Sequence, residues 1–599
     1  MNLFAPFNSD GYKLGHAPMY AHGTESVYSN LTPRSDRIYK RNATRYYKGK
    51  LVLIGCQGAM IEMVENWNKF FTMNRSIAIA RFKLLCDNYL GPNVVSVDEL
   101  SALHKLGYLP LEIKTLDEGS KVPMGIPVLT ITNTVAHAYW LVNFLETTIS
   151  NLTWKTSTAA TIATEYKDML KDFALKTGTP METTLFQAHD FSARGMSGPE
   201  DAARTGFGHI ASGHLGTDSL GSVLYAQEYY GGGNFVAASV PATEHAVATS
   251  NILRIEQEIE DGVYNLQTGE QGDILIKMSL AGEDTRLIAE VMFLYELMLR
   301  FPTGILSYVT DSFDFWAMIS RGLPYLKAVI LRREGNGITP GKLVIRPDSG
   351  DPVEVICGRV IHDLGSEVLD ADDWEDSASD IGSQYVKDCD VEDEVRFLVR
   401  DAEGAILEVF GYAQREYDRS MYFEYQSVEE YEMSPEEKGA IEVLYEIFGG
   451  TETSTGHKLL NEHIGLIYGD SITTQRCLTI LERLEGQGYA SGNVVFGIGS
   501  FTYQCVTRDT FGFAVKATHT VVNGKSIAIF KDPKTDSKKK SAKGLLQVVR
   551  AEDDPEGELL LIDDVSPEVE QSDNLLTRRF YNGQFFNMTT IDEIRSRLA

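Results

Sequence analysis

The sequence predicts an α/β protein: a (β/α) barrel-like domain, a smaller mainly β domain built from both chain ends, and acidic insertions within the barrel. Three observations lead there. Short apolar runs ending in polar residues alternate with helical patterns through the centre of the chain. Both flanks carry short, alternating strand patterns instead. Negative charge is concentrated in central segments that are too apolar for simple disorder.

A chain of 599 residues can form two or more domains with a large core. The boundaries expected are 1–130 with 506–599 for the flanking domain, and 131–505 for the barrel, with insertions near 254–286 and 361–455. In the flanks, Leu51 to Leu90 has helical periodicity, while Pro110 to Thr115 and Val122 to Ile131 read as short antiparallel strands. Gly512 to Val522 and Ser526 to Phe530 read as a hairpin, because Asn523-Gly524 between them suits a two-residue turn with positive φ.

The central runs are Thr184 to Asp190, Phe235 to Pro241 (leading to Glu244-His245), Ile305 to Asp311, Lys342 to Asp348, Ile464 to Asp470 and Val494 to Ser500. Helical patterns cover Ala289 to Arg300 and Thr474 to Gly486. Continuous apolar strands alternating with helices are buried parallel strands. In a barrel all their C-terminal ends open on one face, so half a dozen polar ends converge on one site. A doubly wound open sheet is the alternative, and its crevice gathers only a few ends.

The formal net charge of -29 argues against general nucleic-acid or anionic-membrane binding. Residues 361–455 hold roughly 27 acidic and 6 basic side chains, yet also strand-like runs around Phe397 and Val409 and a helical pattern at Ile441, Leu444 and Ile447. They read as an acidic, mostly folded insertion. With the second acidic insertion near 254–286 also set aside, the remainder is close to neutral, so charge says little about the substrate. Six scattered cysteines without a C-x-x-C pair fit a reducing compartment and no structural zinc. The N-terminal residues lack the pattern of a signal peptide, and no apolar stretch reaches the roughly 20 residues of a membrane span. A cytoplasmic location is expected.

The run Lys342-Leu-Val-Ile-Arg346-Pro-Asp348-Ser-Gly-Asp-Pro352 is the most informative segment. A guanidinium and a carboxylate at the end of an apolar strand cannot be buried without partners. They suit a ligand with both phosphate and sugar hydroxyls, since Arg forks onto oxyanions and Asp accepts from hydroxyls or holds a metal. Taken alone, the run is equally a salt bridge before a turn.

The ordered set of strand ends and turns resembles the nicotinamide phosphoribosyltransferase family, of the type II phosphoribosyltransferase fold. Its pieces are Asp10 to Lys13 with His16, His189-Asp190-Phe191 with Arg194-Gly195, Gly216-Thr217-Asp218, Ser239-Val240-Pro241 with Glu244-His245, Asp311-Ser312, Ile345 to Pro352, Gly469-Asp470, Thr507-Arg508-Asp509 and Phe530 to Pro533. The reaction implied is attack of the nicotinamide ring nitrogen on the anomeric carbon of phosphoribosyl pyrophosphate, with loss of pyrophosphate. A neutral nitrogen nucleophile needs no strong base; it needs placement, support of a cation-like sugar, and neutralisation of the leaving group.

The resemblance implies a ring clamp of Phe191 and Tyr12, the latter from a second subunit of a homodimer. It implies Asp218, Ser239, Ser307 and Arg346 around the nicotinamide. Arg34, His189, Arg194, Arg508, Lys516 and Lys531 match phosphate-binding positions, several donated across the dimer interface, with Gly469, Asp470, Gly497 and Gly499 along the phosphate path. Phe501 and Thr502 stand where the family is more glycine-rich, a departure at that path. The Lys531 to Gly544 stretch reads as a mobile basic loop over polyphosphate. Asp311 and Asp348 are the expected ligands of ribose hydroxyls and Mg²⁺, and His245 matches the histidine that ATP phosphorylates to drive the reaction. Asp218 favours nicotinamide over nicotinate, because a carboxylate accepts from a carboxamide N–H and repels another carboxylate. The alternatives are nicotinate as substrate, or a catalytically silent relative acting as a binding module. An unrelated barrel enzyme such as an aldolase would want a Schiff-base lysine at a strand end, and none stands there.

Overall fold

The structure is a computed structural model. It describes all residues except 1–3, 234, 265–268, 365–370, 389–392, 402–403, 417–419, 532–540 and 552–556, and the side chains of 371–375 and 388. Cys389 and most of the basic stretch after Lys531 therefore lie outside the described residues. The chain forms two compact units, one of residues 1–239, 469–478 and 495–599, the other of 240–468 and 479–494.

The first unit contains a mainly antiparallel sheet assembled from both chain ends. Its central strand Thr24–Thr32 pairs with Ala514–Val522 on one side and Leu129–Asn133 on the other. Leu111–Thr115 and Thr577–Tyr581 extend it. Register sets Leu31 against Val515 and Leu129, and Ile113 against Ile131 and Phe580. These side chains are buried on one face, as the period-2 alternation of a strand requires. The hairpin to Lys525–Ala528 turns at Asn523 and Gly524, whose φ values of 48° and 70° are those a two-residue turn demands.

The 32-residue helix Glu146–Thr177 belongs to this unit. Five of its buried threonines, Thr153, Thr158, Thr161, Thr164 and Thr177, each donate to the carbonyl four residues back.

Six short strands carry the predicted site residues: β1 (Ala188–Asp190), β2 (Gly216–Thr217), β3 (Ile305–Val309), β4 (Lys342–Arg346), β5 (Ile464–Tyr468) and β6 (Val494–Ile498). In the first unit β1 pairs in parallel with β6 and with β2. In the second, β4 pairs in parallel with β3 and with β5. Parallel strands with helical crossovers and separate antiparallel sheets make the mixed α/β class expected from the sequence.

Two runs differ from expectation. Thr184–Gln187 is a helical turn, and only Ala188–Asp190 is strand; Phe186, counted as part of an apolar run, is 43% exposed. Phe235 to Pro241 forms no strand beyond single bridges, such as Ala238 with Gly216. Phe235 is exposed and Pro241 has no N–H to give a ladder.

In the second unit, β3 packs with the helix Thr285–Arg300, and the Ala440–Phe448 helix buries Ile441 and Leu444. Residues 361–430 form a four-stranded sheet of Ile361–Asp363, Glu394–Arg400, Ile406–Arg415 and Met421–Glu430. That sheet has its own core around Val395, Phe397, Val409 and Phe423.

Candidate active site

In the first unit, β1 and β2 end side by side and bring His189 and Asp218 together, Nε2 to Oδ1 3.0 Å. The Ser239 hydroxyl donates to the same Asp218 oxygen. A Cβ at position 216 would fall 2.6 Å from His189 Nδ1, so glycine there lets the imidazole lie across β2. Asp218 keeps 45% of its side chain exposed.

Between them sits Asp190, fully buried and not foreseen as a working residue. Its carboxylate accepts from the Ser192 N–H (2.9 Å), the Ser192 hydroxyl (2.6 Å) and the Thr217 hydroxyl (3.0 Å). Its carbonyl accepts from the Asp218 N–H at 2.9 Å. Asp190 therefore ties the turn after β1 to the end of β2. Phe191 leaves that turn half-buried, its ring 4.8 Å from that of His189. Its N–H donates to the Ile498 carbonyl of β6 at 2.9 Å. Gly497 must be glycine, since a Cβ would lie 2.5 Å from the Phe191 ring and 2.8 Å from Gly469 Cα. None of the described residues lies within 4 Å of a Cβ built on Gly499, so packing among them does not require that glycine.

The remaining first-unit candidates with side chains lie at the surface. Tyr12 is 64% exposed, its ring 5.2 Å from that of His16. Arg34 donates from Nε to the Gly512 carbonyl at 2.9 Å, and Arg508 pairs with Asp509 at 3.3 Å. Arg194, Asp470, Lys516 and Lys531 are exposed.

In the second unit, His245 begins the helix His245–Glu260 and meets Asp311 after β3, Nε2 to Oδ1 3.0 Å. The other Asp311 oxygen accepts from the Asp348 N–H (3.0 Å) and the Ser349 hydroxyl (2.7 Å), so the turn after β4 closes over it. Burial opposes its charge, but the Ser349, Asp348 and His245 donors outweigh burial and hold the carboxyl below its ordinary range. Arg346 donates from its guanidinium to the Thr243 carbonyl at 2.6 Å, while its Nε is buried without a partner. Ser307 is buried and fixed through its backbone, donating to Pro241 and accepting from Thr243.

Behind β3 lies a second unforeseen carboxyl, Glu290, 2% exposed and accepting from the Tyr308 hydroxyl at 3.3 Å. Burial pushes it up to about 8, so it is neutral at neutral pH. A signal for it exists in the sequence: Glu290 falls on the apolar stripe of Leu287, Val291 and Leu294.

The "Nicotinate phosphoribosyltransferase (NAPRTase) family" matches residues 186–380 and 413–582, which include every parallel strand just described. The chain belongs to this family. It is accordingly an enzyme of phosphoribosyl transfer, a pentosyltransferase. Among curated relatives, the nicotinamide phosphoribosyltransferase of Acinetobacter baylyi is 41% identical over 99% of this chain and 97% of its own. Proteins of the same name from Xanthomonas campestris and Mycoplasma pneumoniae are each 27% identical, over 98% and 89% of this chain and 97% and 93% of theirs. Among the described residues, no helix is long and apolar enough to cross a membrane.

Proposed function

We propose that this phosphoribosyltransferase joins nicotinamide to phosphoribosyl pyrophosphate, giving nicotinamide mononucleotide and pyrophosphate. The observation that carries the choice of nicotinamide is Asp218. Its carboxylate is fixed by Ser239 and His189 yet remains 45% exposed. It can accept from a carboxamide N–H, and it would repel the carboxylate of nicotinate. The names of the curated relatives support the same reading.

Phe191, braced by His189 and β6, offers the flat apolar face on which the pyridine ring stacks. Tyr12 of a second subunit supplies the opposite face, which makes the working enzyme a homodimer. We assign Arg346 to the nicotinamide, and Arg194, His189, Arg34, Arg508, Lys516 and Lys531 to the phosphates. Asp348 and Asp311 hold the ribose hydroxyls. Asp311, whose oxygens both also accept from the protein, and Asp348 are the carboxylates that would hold Mg²⁺ entering with the pyrophosphate group. One or two carboxylates plus substrate oxygens is the usual setting for that ion, which would neutralise charge on the leaving group.

His245 is the phosphoryl acceptor of ATP coupling. Donation from Nε2–H to Asp311 leaves the Nδ1 lone pair as nucleophile, and the first turn of a 16-residue helix favours the added negative charge. The test is purified protein with phosphoribosyl pyrophosphate, Mg²⁺ and either nicotinamide or nicotinate, with and without ATP. Mononucleotide from nicotinamide is expected. Faster turnover of nicotinate establishes the acid as substrate instead, and no product from either sinks the proposal.

A further inference from the structure

The antiparallel sheet of the first unit has two unlike faces. Val27, Leu31, Ile113 and Ile131 pack into the core. The alternate positions carry Ser26, Tyr28, Glu112, Lys114, Thr130 and Thr132, with Tyr28 set opposite Thr132 and Lys114 opposite Thr130. A polar sheet face ordinarily meets water. This one is capped by the strand Leu545–Arg550 and the helix Pro567–Gln571, and a cavity of about 210 Å³ lies between. A single water needs only about 10–15 Å³ of such space. The cavity accommodates a molecule of several heavy atoms.

Its charges are matched internally. Lys114 Nζ stands 2.8 Å from both Glu570 oxygens, and Glu112 accepts from Arg578 Nε at 2.6 Å. His519 bonds the Ser526 hydroxyl, and burial pulls its pKa down, leaving the ring neutral. The group left over is the Tyr28 hydroxyl. The residue is 5% exposed, and among the described residues its oxygen has no hydrogen-bond partner of normal geometry, with Thr130 and the Leu546 backbone beside it. A buried hydroxyl in that state carries an uncompensated desolvation cost, which a ligand can relieve.

A charged ligand would find no unmatched counter-charge to offset its desolvation. A primary carboxamide fits: its C=O accepts from Tyr28, its N–H donates to the lone pairs that Lys114 leaves on Glu570, and Leu545 and Pro567 offer apolar surface to the rest. We propose that this cavity is a second binding site, for a small uncharged carboxamide, and that its occupant is nicotinamide. The choice of nicotinamide rests on the function proposed above; the site itself does not.

The experiment is equilibrium dialysis of radiolabelled nicotinamide against the full chain without phosphoribosyl pyrophosphate. Wild type is expected to bind two equivalents per chain. Tyr28→Phe, which keeps the ring, and Thr130→Val should each lose one equivalent and keep wild-type turnover. Asp218→Ala should lose the other. Melting curves matching wild type identify folded variants. A count that neither Tyr28→Phe nor Thr130→Val lowers overturns the proposal. One equivalent in wild type that vanishes in Tyr28→Phe but survives Asp218→Ala supports the cavity site, and the proposed function fails separately, by absence of mononucleotide from nicotinamide in the turnover assay.

Discussion

Asp218 and Asp311 are both carboxylates held by a histidine 3.0 Å away, yet their settings divide their work. Asp218 keeps 45% of its side chain exposed, whereas Asp311 keeps 5% and is closed over by the turn after β4. Asp218→Asn should therefore change selectivity more than stability. The expected shift in the kcat/KM ratio of nicotinamide to nicotinate is ~10–100-fold toward the acid, equivalent to about 1.4–2.8 kcal/mol; an unchanged ratio removes Asp218 from substrate choice. His245→Ala should leave turnover that no longer responds to ATP, measured as mononucleotide formed with and without the nucleotide. Glu290 makes a different prediction. Its folded pKa, about 8, is above the ordinary 4.5, so the folded state binds the extra proton and stability falls as pH rises from 4.5 to 8. Glu290→Gln preserves the acceptor for Tyr308 and cannot ionise. It should gain on the order of 1–3 kcal/mol over wild type above pH 8, read from urea unfolding, and gain little at pH 5.

At the scale of elements, the acidic sheet of residues 361–430 should be separable from its host. Its core residues all lie within 364–428. The chain leaves and re-enters at one place: the Arg359 N–H donates to the Glu437 carbonyl at 2.8 Å, and a Cβ on Gly439 would fall 2.3 Å from the Gly358 nitrogen. The Ala440–Phe448 helix beyond is buried and belongs to the host. Joining Arg359 to Glu437 through a short glycine linker should yield a folded enzyme with kcat/KM within about threefold of wild type, because closing a short loop costs little. An insoluble product would show that the sheet supports the host core. This separability was legible in part, since acidic composition and strand-like runs coincide in one segment. Local constraints were the most legible: the Asn523-Gly524 hairpin needs nothing beyond its own residues. The Thr184 and Phe235 runs misled because apolar content does not report which residues face solvent. Strand-end polar residues were readable one by one. Their pairings were not: His189 meets Asp218 and His245 meets Asp311 across 29 and 66 residues, and only tertiary packing supplies that information.

For the whole molecule, the proposed site asks for more than one chain carries to Phe191. Tyr12 is 64% exposed, and Arg34, Lys516 and Arg508 are exposed cations on a chain of net charge -29. An exposed aromatic and exposed cations on one chain suit a self-complementary interface, where each subunit lends the same residues to the other. In such a dimer the Tyr12 and Phe191 that clamp one ring come from different chains. Tyr12→Ala and Phe191→Ala homodimers should each be nearly inactive. Mixing them under conditions that exchange subunits gives heterodimers in which one site carries both lesions and the other carries none. With random exchange, half the dimers are mixed, so about one quarter of all sites are intact and activity should recover to about one quarter of wild type. A clamp formed within one chain predicts the opposite. No exchange could then assemble an intact site, and activity in the mixture would stay at the level of the parent variants.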